Sequence, residues 1–310
     1  MTRCCVIGGA GFIGSYLVNE LLNTGRTVRI VGRSNLPQSR IPEKVEYFQG
    51  DIRNHDFVIK ILHGVDEVID LAYSSVPKTS FENPILDITD NLPGSVGLFD
   101  IASSLPIKKL VFVSSGGTVY GEPQSLPINE NHSTNPISPY GITKLALEKY
   151  AQMYYKLKKL PVVCVRPSNP YGEGQKAFAG QGFIATTIAS VLVGKELKIF
   201  GEKGTIRDYI HVTDLAKAIV ATLDFGVAGE CYNAGSALGL SNLEVIEQIS
   251  IEAEKYALKP LVTNVSPRSF DVSANVLDSS KLHKVSGWKP CLEFSEGIER
   301  TWNWFYNNKN

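Results

Sequence analysis

The apolar run Cys4-Cys5-Val6-Ile7 breaks into Gly8-Gly9-Ala10-Gly11 and continues as the helical pattern Phe12-Ile13-Gly14. Nothing else constrains the fold as much. A strand that turns on glycines straight into a helix opens a βαβ unit, and it aims helix N–H groups at whatever lies beyond the strand. Glycines 8, 11 and 14 follow a Gly-x-x-Gly-x-x-Gly spacing. Without side chains, they let backbone approach a pyrophosphate and let helix pack on strand. A glycine turn in a non-binding α/β fold would look similar, but its place between first strand and first helix favours a dinucleotide. Phe12 and Ile13 would then sit in the helix turn facing the phosphates.

Strand patterns at Cys4–Ile7, Thr27–Val31, Val45–Phe48, Glu67–Leu71, Lys109–Ser114 and Val162–Arg166 alternate with helical ones. The helices are expected at Phe12–Asn23, Asn54–Leu62, Leu86–Ser103 (interrupted by Pro93) and Pro139–Leu157. Such alternation predicts an α/β fold, a doubly wound parallel sheet of the Rossmann type with a smaller α/β substrate-binding domain. Residues 1–167 would form the dinucleotide-binding domain, with later returns near 208–233, and 168–310 mainly the substrate domain. Beyond 167 the pattern loosens, with helices expected at Ile184–Val193, Val212–Leu223, Asn242–Ala257 and Glu296–Asn307. Ligands of such sheets bind outside the strand carboxyl ends. Gly8, Asp51, Leu71, Ala72, Ser114 and Pro167 occupy those ends.

Zero formal net charge over 310 residues gives no global field toward nucleic acid or anionic membrane. No apolar run is long enough to span a bilayer and no signal peptide is apparent, so a cytoplasmic protein is expected. The five cysteines, an odd number mostly in apolar contexts, read as reduced core residues, and no Cys or His spacing matches a metal-ligand set.

Tyr140 and Lys144, in Tyr140-Gly141-Ile142-Thr143-Lys144, lie one helical turn apart on one face. A free phenol titrates near ~10, but a neighbouring ammonium and an oxidised nicotinamide both favour the phenolate, an oxygen base for work on an alcohol or carbonyl. Lys144 could also hold the nicotinamide ribose. As an isolated pattern the pair could be a surface coincidence, yet it opens a helix after Ser138-Pro139 and follows a strand ending in hydroxyls.

The second strand ends in Gly32-Arg33-Ser34-Asn35, where an NAD site usually carries an acidic residue. A guanidinium there suits a 2′-phosphate, which favours NADP slightly over NAD; Arg33 stacking on adenine with NAD bound is the alternative. Asp51 could accept from the adenine amino group with Ile52 over the ring, or Asp51 could cap the following helix.

These blocks together resemble the extended short-chain dehydrogenase/reductases, above all the UDP-sugar 4-epimerases. The likeness rests on Gly8–Gly14, Ser114-Ser115-Gly116-Gly117-Thr118-Val119-Tyr120-Gly121, Ser138–Lys144, Arg166-Pro167-Ser168-Asn169-Pro170-Tyr171-Gly172, Arg207–Val212 and Leu277–Lys281. The resemblance implies that Asn91 lies near the cofactor, Asn169 binds the nucleotide-sugar, Arg207 and Arg268 grip its diphosphate, and Asp271 reaches a ribose hydroxyl. It also implies a homodimer built on the two long helices. Read from the residues alone, Arg207 could instead pair with Asp208 and Arg268 could be a solvated loop charge. Three positions depart from the family: Gly116 stands where Ser or Thr usually touches the sugar hydroxyl, Gly32–Arg33 replaces the acidic residue, and Asp70 replaces a common His. Ser115 and Thr118 are the substitutes for holding the C4 oxygen.

The expected reaction is C4 inversion of a UDP-hexose or UDP-N-acetylhexosamine through a 4-keto intermediate with bound NAD(P). An NADPH-dependent 4-keto-sugar reductase is the first rival. A 4,6-dehydratase is weaker, because the Asp-Glu after Thr that the family's dehydratases use is missing around Gly116-Gly117-Thr118. A catalytically dead regulator would need no Tyr–Lys pair.

Overall fold

The structure is a computed structural model and describes residues 1–34, 42–266 and 272–308. In chain order the first half runs β1 (Arg3–Ile7), α1 (Phe12–Asn23), β2 (Thr27–Gly32), β3 (Glu46–Gln49), α2 (His55–Leu62), β4 (Glu67–Asp70), α3 (Pro77–Glu82), α4 (Pro84–Ser103), β5 (Lys109–Val113), α5 (Pro139–Lys158) and β6 (Val162–Pro167). The second half follows as β7 (Asn169–Tyr171), α6 (Phe183–Leu192), β8 (Leu197–Phe200), β9 (Ile206–His211), α7 (Val212–Phe225), β10 (Cys231–Ala234), β11 (Gly239–Ser241) and α8 (Asn242–Glu254). It ends with β12 (Val262–Val265), β13 (Ala274–Asn275), α9 (Ser280–Ser286) and α10 (Phe294–Asn307).

The main sheet has seven parallel strands in the order β10-β6-β5-β4-β1-β2-β3. Strand order reverses between β1 and β4, so a crevice opens beyond Ile7 and Asp70. Every strand of such a sheet is covered on both faces, which is why β1 is apolar at consecutive positions. Cys4 and Val6 enter the layer that holds α1 and α7, while Cys5 and Ile7 enter the layer that holds α2, α4 and α5. A third core, with Tyr171, Ile188, Ile249 and Trp302, joins α6, α8 and α10.

Several boundaries moved for local reasons. α4 continues through Pro93, whose ring lies on the exposed side, where water can serve the carbonyl it strands. α8 stops at Glu254 rather than Ala257, because Ala257 takes a φ of +56° and Leu258 N–H closes back on Ala253 O. The short helices α3 and α9 and the short strands β7 to β13 had no period long enough to read. The seventh strand, β10, returns to the main sheet beside β6. Cys4, Cys5, Cys164 and Cys231 are free and buried, and Cys291 is exposed. Among the described residues no helix is long and apolar enough to cross a membrane.

Candidate functional site

The crevice at the β1/β4 switch is a cavity of about 960 Å³. Its floor is the glycine turn. Gly8 has a φ of +80°, and a Cβ there would meet the Leu71 and Ala72 backbone at 3.1–3.3 Å. A Cβ on Gly14 would lie 2.5 Å from Gly9 Cα, so α1 can press on the turn only through glycine. Gly11 N–H donates to Gly8 O at 3.0 Å and Gly11 is the N-cap of α1. No side chain caps α1 and its first turn holds no acidic residue, leaving N–H groups that attract an anion. Gly8, Gly11 and Phe12 line the cavity, and Ile13 and Gly14 stand behind that wall. An open helix N-terminus, a glycine floor and this volume fit a nicotinamide dinucleotide.

Arg33, Asp51, Ile52, Leu71 and Ala72 line the same cavity. Arg33 is exposed and, among the described residues, makes no ion pair; Asn35 lies outside the described residues. Asp51 does not cap α2: Asn54 does, accepting from Phe57 N–H at 3.0 Å. Asp51 instead takes the Arg53 guanidinium at 2.8 Å and the Arg53 N–H at 2.9 Å, which holds its carboxyl below the usual range. Asn91 also reaches the cavity, but its amide is committed: it accepts from Ser74 N–H at 2.7 Å and donates to Asp87 O at 2.7 Å.

Tyr140 and Lys144 occupy the first turns of α5. Ser138 Oγ accepts from Gly141 N–H at 3.1 Å, and Tyr140 N–H donates to Ser80 Oγ of α3 at 3.2 Å, fixing the helix start. Burial pushes the Tyr140 phenol up to about 12; the Ser115 hydroxyl bonded to it pulls the other way, and Asp87 adds to the rise. Burial pulls the Lys144 ammonium down to about 8 against the carboxylates of Asp70, Glu148 and Asp87. Here the sequence expectation is corrected. The ammonium stands 5.9 Å from the Tyr140 ring centroid and donates to Val113 O at 2.8 Å, so the chain's own groups raise the phenol rather than lower it. The favourable charge would have to come from an oxidised nicotinamide.

Tyr73 is the site residue that sequence reasoning passed over. Its ring centroid is 4.8 Å from that of Tyr140, and Lys144 Nζ lies 4.1 Å from it. Tyr73 lines the cavity while Tyr140 and Lys144 do not, so the pair meets the cavity through this ring. Its signal was its position, three residues past the end of β4 at the switch point.

On the sugar side, Ser114 Oγ and Thr118 Oγ1 are buried without a hydrogen-bond partner among the described residues. Ser115 is thus the hydroxyl brought to Tyr140, and Thr118 is not. The glycine at 116 has a steric cause: a Cβ would lie 2.5 Å from Leu277 Cδ1 and 2.9 Å from Arg166 O. Pro167 ends β6 and its carbonyl accepts from Gly116 N–H at 2.8 Å. Asn169 donates to Asp208 O at 3.1 Å and lies near Gly117. Arg207 is on β9 and donates to Ile206 O at 2.8 Å, whereas Asp208 turns inward onto Ser236, Ala237 and Leu277 N–H groups. Arg268 and Asp271 lie outside the described residues.

The sequence profile of the NAD dependent epimerase/dehydratase family matches residues 4–235. The UDP-glucose 4-epimerase of Mycolicibacterium smegmatis is 33% identical over 317 residues, covering 98% of this chain and 99% of that one. The crystal structure of Thermus thermophilus UDP-glucose 4-epimerase in complex with NAD superposes with a TM-score of 0.89 at 33% identity, over 99% of this chain and 100% of that one. A Thermotoga maritima UDP-glucose 4-epimerase with UDP-glucose gives 0.91 at 29%, over 99% of both chains. The likeness extends to other chemistry: a dTDP-glucose 4,6-dehydratase from Streptomyces venezuelae with NAD gives 0.88 at 26%, over 99% of this chain and 98% of that one. With the glycine floor, the open α1 terminus and this end-to-end likeness together, the chain belongs to the NAD dependent epimerase/dehydratase family.

Proposed function

We propose that this protein inverts C4 of a UDP-hexose or UDP-N-acetylhexosamine through a transient 4-keto sugar, with a nicotinamide dinucleotide retained between turnovers. The observation that carries the reading is the Tyr140–Lys144 pair with Ser115 on the phenol, packed against Tyr73, whose ring lines a dinucleotide-sized crevice. Tyr140 accepts the C4 hydroxyl proton and later returns it. Ser115 holds the C4 oxygen and the phenol in one line, and Lys144 orients the cofactor's ribose and adds positive charge. When bound, the dinucleotide supplies the reversible hydride acceptor that C4 inversion needs. Asn169, Arg207, Arg268 and Asp271 would hold the nucleotide diphosphate while the sugar presents its other face.

The overlapping 4,6-dehydratase reading is weaker on one observation. It needs an acid and a base right after a Thr, and the matching stretch is Gly116-Gly117-Thr118, which holds neither. A reductase reading draws on Arg33, an exposed guanidinium lining the crevice that suits NADP. One experiment separates these. Purified protein is incubated with UDP-glucose and with UDP-N-acetylglucosamine without added cofactor, and products are followed by NMR; acid then releases any bound dinucleotide for identification. Mixed C4 epimers support the epimerase. Conversion only of a supplied 4-keto sugar, with NADPH consumed one for one, would replace it with the reductase.

The exposed apolar side chains Ile85, Leu86 and Ile88 of α4 and Ile142, Met153 and Leu157 of α5 fit a homodimer interface. A single sedimenting species at monomer mass at micromolar concentration would count against it.

A further inference from the structure

Asp70 ends β4, is 1% exposed, and takes no part in the chemistry above. Its Oδ2 accepts from Ser95 Oγ of α4 at 2.8 Å and its Oδ1 from Ala72 N–H at 3.0 Å. Both donors are neutral, and burial pushes the Asp70 carboxyl up against the pull of the Ser95 hydroxyl, the Lys144 ammonium and the Ala72 N–H. In the ladder its Cα partner is Phe112 of β5, the residue before Val113, whose carbonyl accepts from Lys144 Nζ. Residues paired in register on parallel strands point to the same face. Asp70 and Phe112 therefore enter the layer under α4 and α5, where Lys144 Nζ lies 5.1 Å from the Phe112 ring.

The charged and titratable groups around Lys144 are few, and most are committed. On α5, Glu148 is locked to Arg166 of β6 by two hydrogen bonds of 2.9 and 2.6 Å. On α4, Asp87 accepts from Thr143 Oγ1 at 2.7 Å, from Tyr73 OH at 3.3 Å and from Ser75 Oγ. Tyr73 and Tyr140 present rings, and Cys5 of β1 lies beside Asp70 with its thiol pushed up by burial. Lys144 has no carboxylate within ion-pair distance among the described residues. Among the described residues, then, Lys144 of α5, tied to the end of β5 through Val113 O, is a buried cation without a contact anion, and Asp70 at the end of the adjacent β4 is a buried carboxylate without a contact cation. An isolated buried charge is costly unless another compensates it through the same low-dielectric layer.

We propose that Asp70 is a positioning residue whose buried carboxylate is the counter-charge that keeps Lys144 an ammonium at the site. It acts through space rather than by contact, and through Lys144 rather than on the sugar. Its role in turnover rests on the epimerase reading, but the pairing itself does not.

The test is a double-mutant cycle with a spectroscopic readout. Asp70→Asn is made with Lys144 present and in Lys144→Met, and unfolding constants are measured in urea at neutral pH. The expected result is that Asp70→Asn raises the unfolding constant about tenfold more when Lys144 is present. In parallel, ¹³C-ε lysine NMR follows the Lys144 titration, expected to move down by about one pH unit in Asp70→Asn. Asp70→His repeats both measurements if the Asn variant does not fold. Equal costs in both backgrounds, or an unmoved Lys144 titration, would overturn the pairing. Neither readout involves a sugar, so an inactive epimerase with a coupled Asp70–Lys144 pair would fail the proposed function and leave this inference standing.

Discussion

The two ends of the crevice are built from different materials. At the β1/β4 switch the binding groups are backbone: a positive-φ glycine, a helix with bare N–H groups, and a turn with no room for Cβ atoms. At the α5 end they are side chains, the half-buried Tyr140 and the buried Lys144, displaced in opposite directions from their ordinary pKa values by loss of solvent. Burial disfavours the charged form of each, so the phenol rises and the ammonium falls. Backbone sites tolerate no added atoms but carry no titration. Side-chain sites tolerate change in shape but depend on every charge near them.

The largest expected effect separates the two ends outright. Tyr140→Phe should lower turnover by about three orders of magnitude, within the range for a lost general base, and leave dinucleotide affinity unchanged. Product NMR and dinucleotide titration calorimetry check it; retained activity would remove Tyr140 from the chemistry. At the other end, Gly14→Ala should weaken dinucleotide binding about a hundredfold, because the new methyl forces α1 off the turn by more than a few tenths of an ångström. Unchanged affinity in that variant would show that the turn is not the binding floor.

A third prediction uses the titration. Lys144 falls from 10.5 to about 8 on folding, so between those values the unfolded chain binds a proton that the folded chain has released. Stability then rises with pH across that window by about 3 kcal/mol from this group. Tyr140, raised from 10.0 to about 12, works the other way above pH 10, where the folded chain keeps the proton and stability falls. The buried thiols of Cys4 and Cys5, raised above 9.0, oppose this rise in any background, so the readout is the difference: urea midpoints of the natural chain relative to Lys144→Met should climb between pH 8 and 10.5, and a constant difference would refute the depressed ammonium. The smallest effect tests the sugar side. Gly116→Ser should cost about 1–3 kcal/mol by overpacking, and Leu277→Ala should recover part of it. A Gly116→Ser chain as stable as the natural one would mean that Leu277 does not close that space.

This contrast also explains what could be read from the residues. Backbone sites announce themselves locally, since a glycine spacing next to an apolar strand is visible within a dozen residues. The α1 boundaries, Phe12–Asn23, were legible for that reason. Tyr140 and Lys144 were legible as a pair, but the direction of the phenol shift was not. It depends first on the burial that the tertiary packing imposes, then on Ser115, which opposes the rise, and Asp87, which adds to it, both distant in sequence, and on the ammonium's choice of Val113 O. Tyr73 was missed because its importance comes only from facing α5 across the β4–β5 ends. Asp51 was open between an adenine contact and a helix cap; Asn54 caps α2, and Arg53 two residues on takes the Asp51 carboxylate at the edge of the crevice. The reason for Gly116 lay in Leu277, more than a hundred residues away.

The seventh strand has a consequence for how the molecule is made. β10 covers the open edge of β6, and α7 covers α1, yet both are encoded after residue 206. During synthesis the first six strands emerge long before their cover, leaving the edge of β6, apolar from Val162 to Val165, and a bare helix face in the nascent chain. Such an edge templates pairing with other chains. A truncation after Pro167 would freeze that intermediate, so the first half should be recovered as aggregate rather than as an independent folding unit.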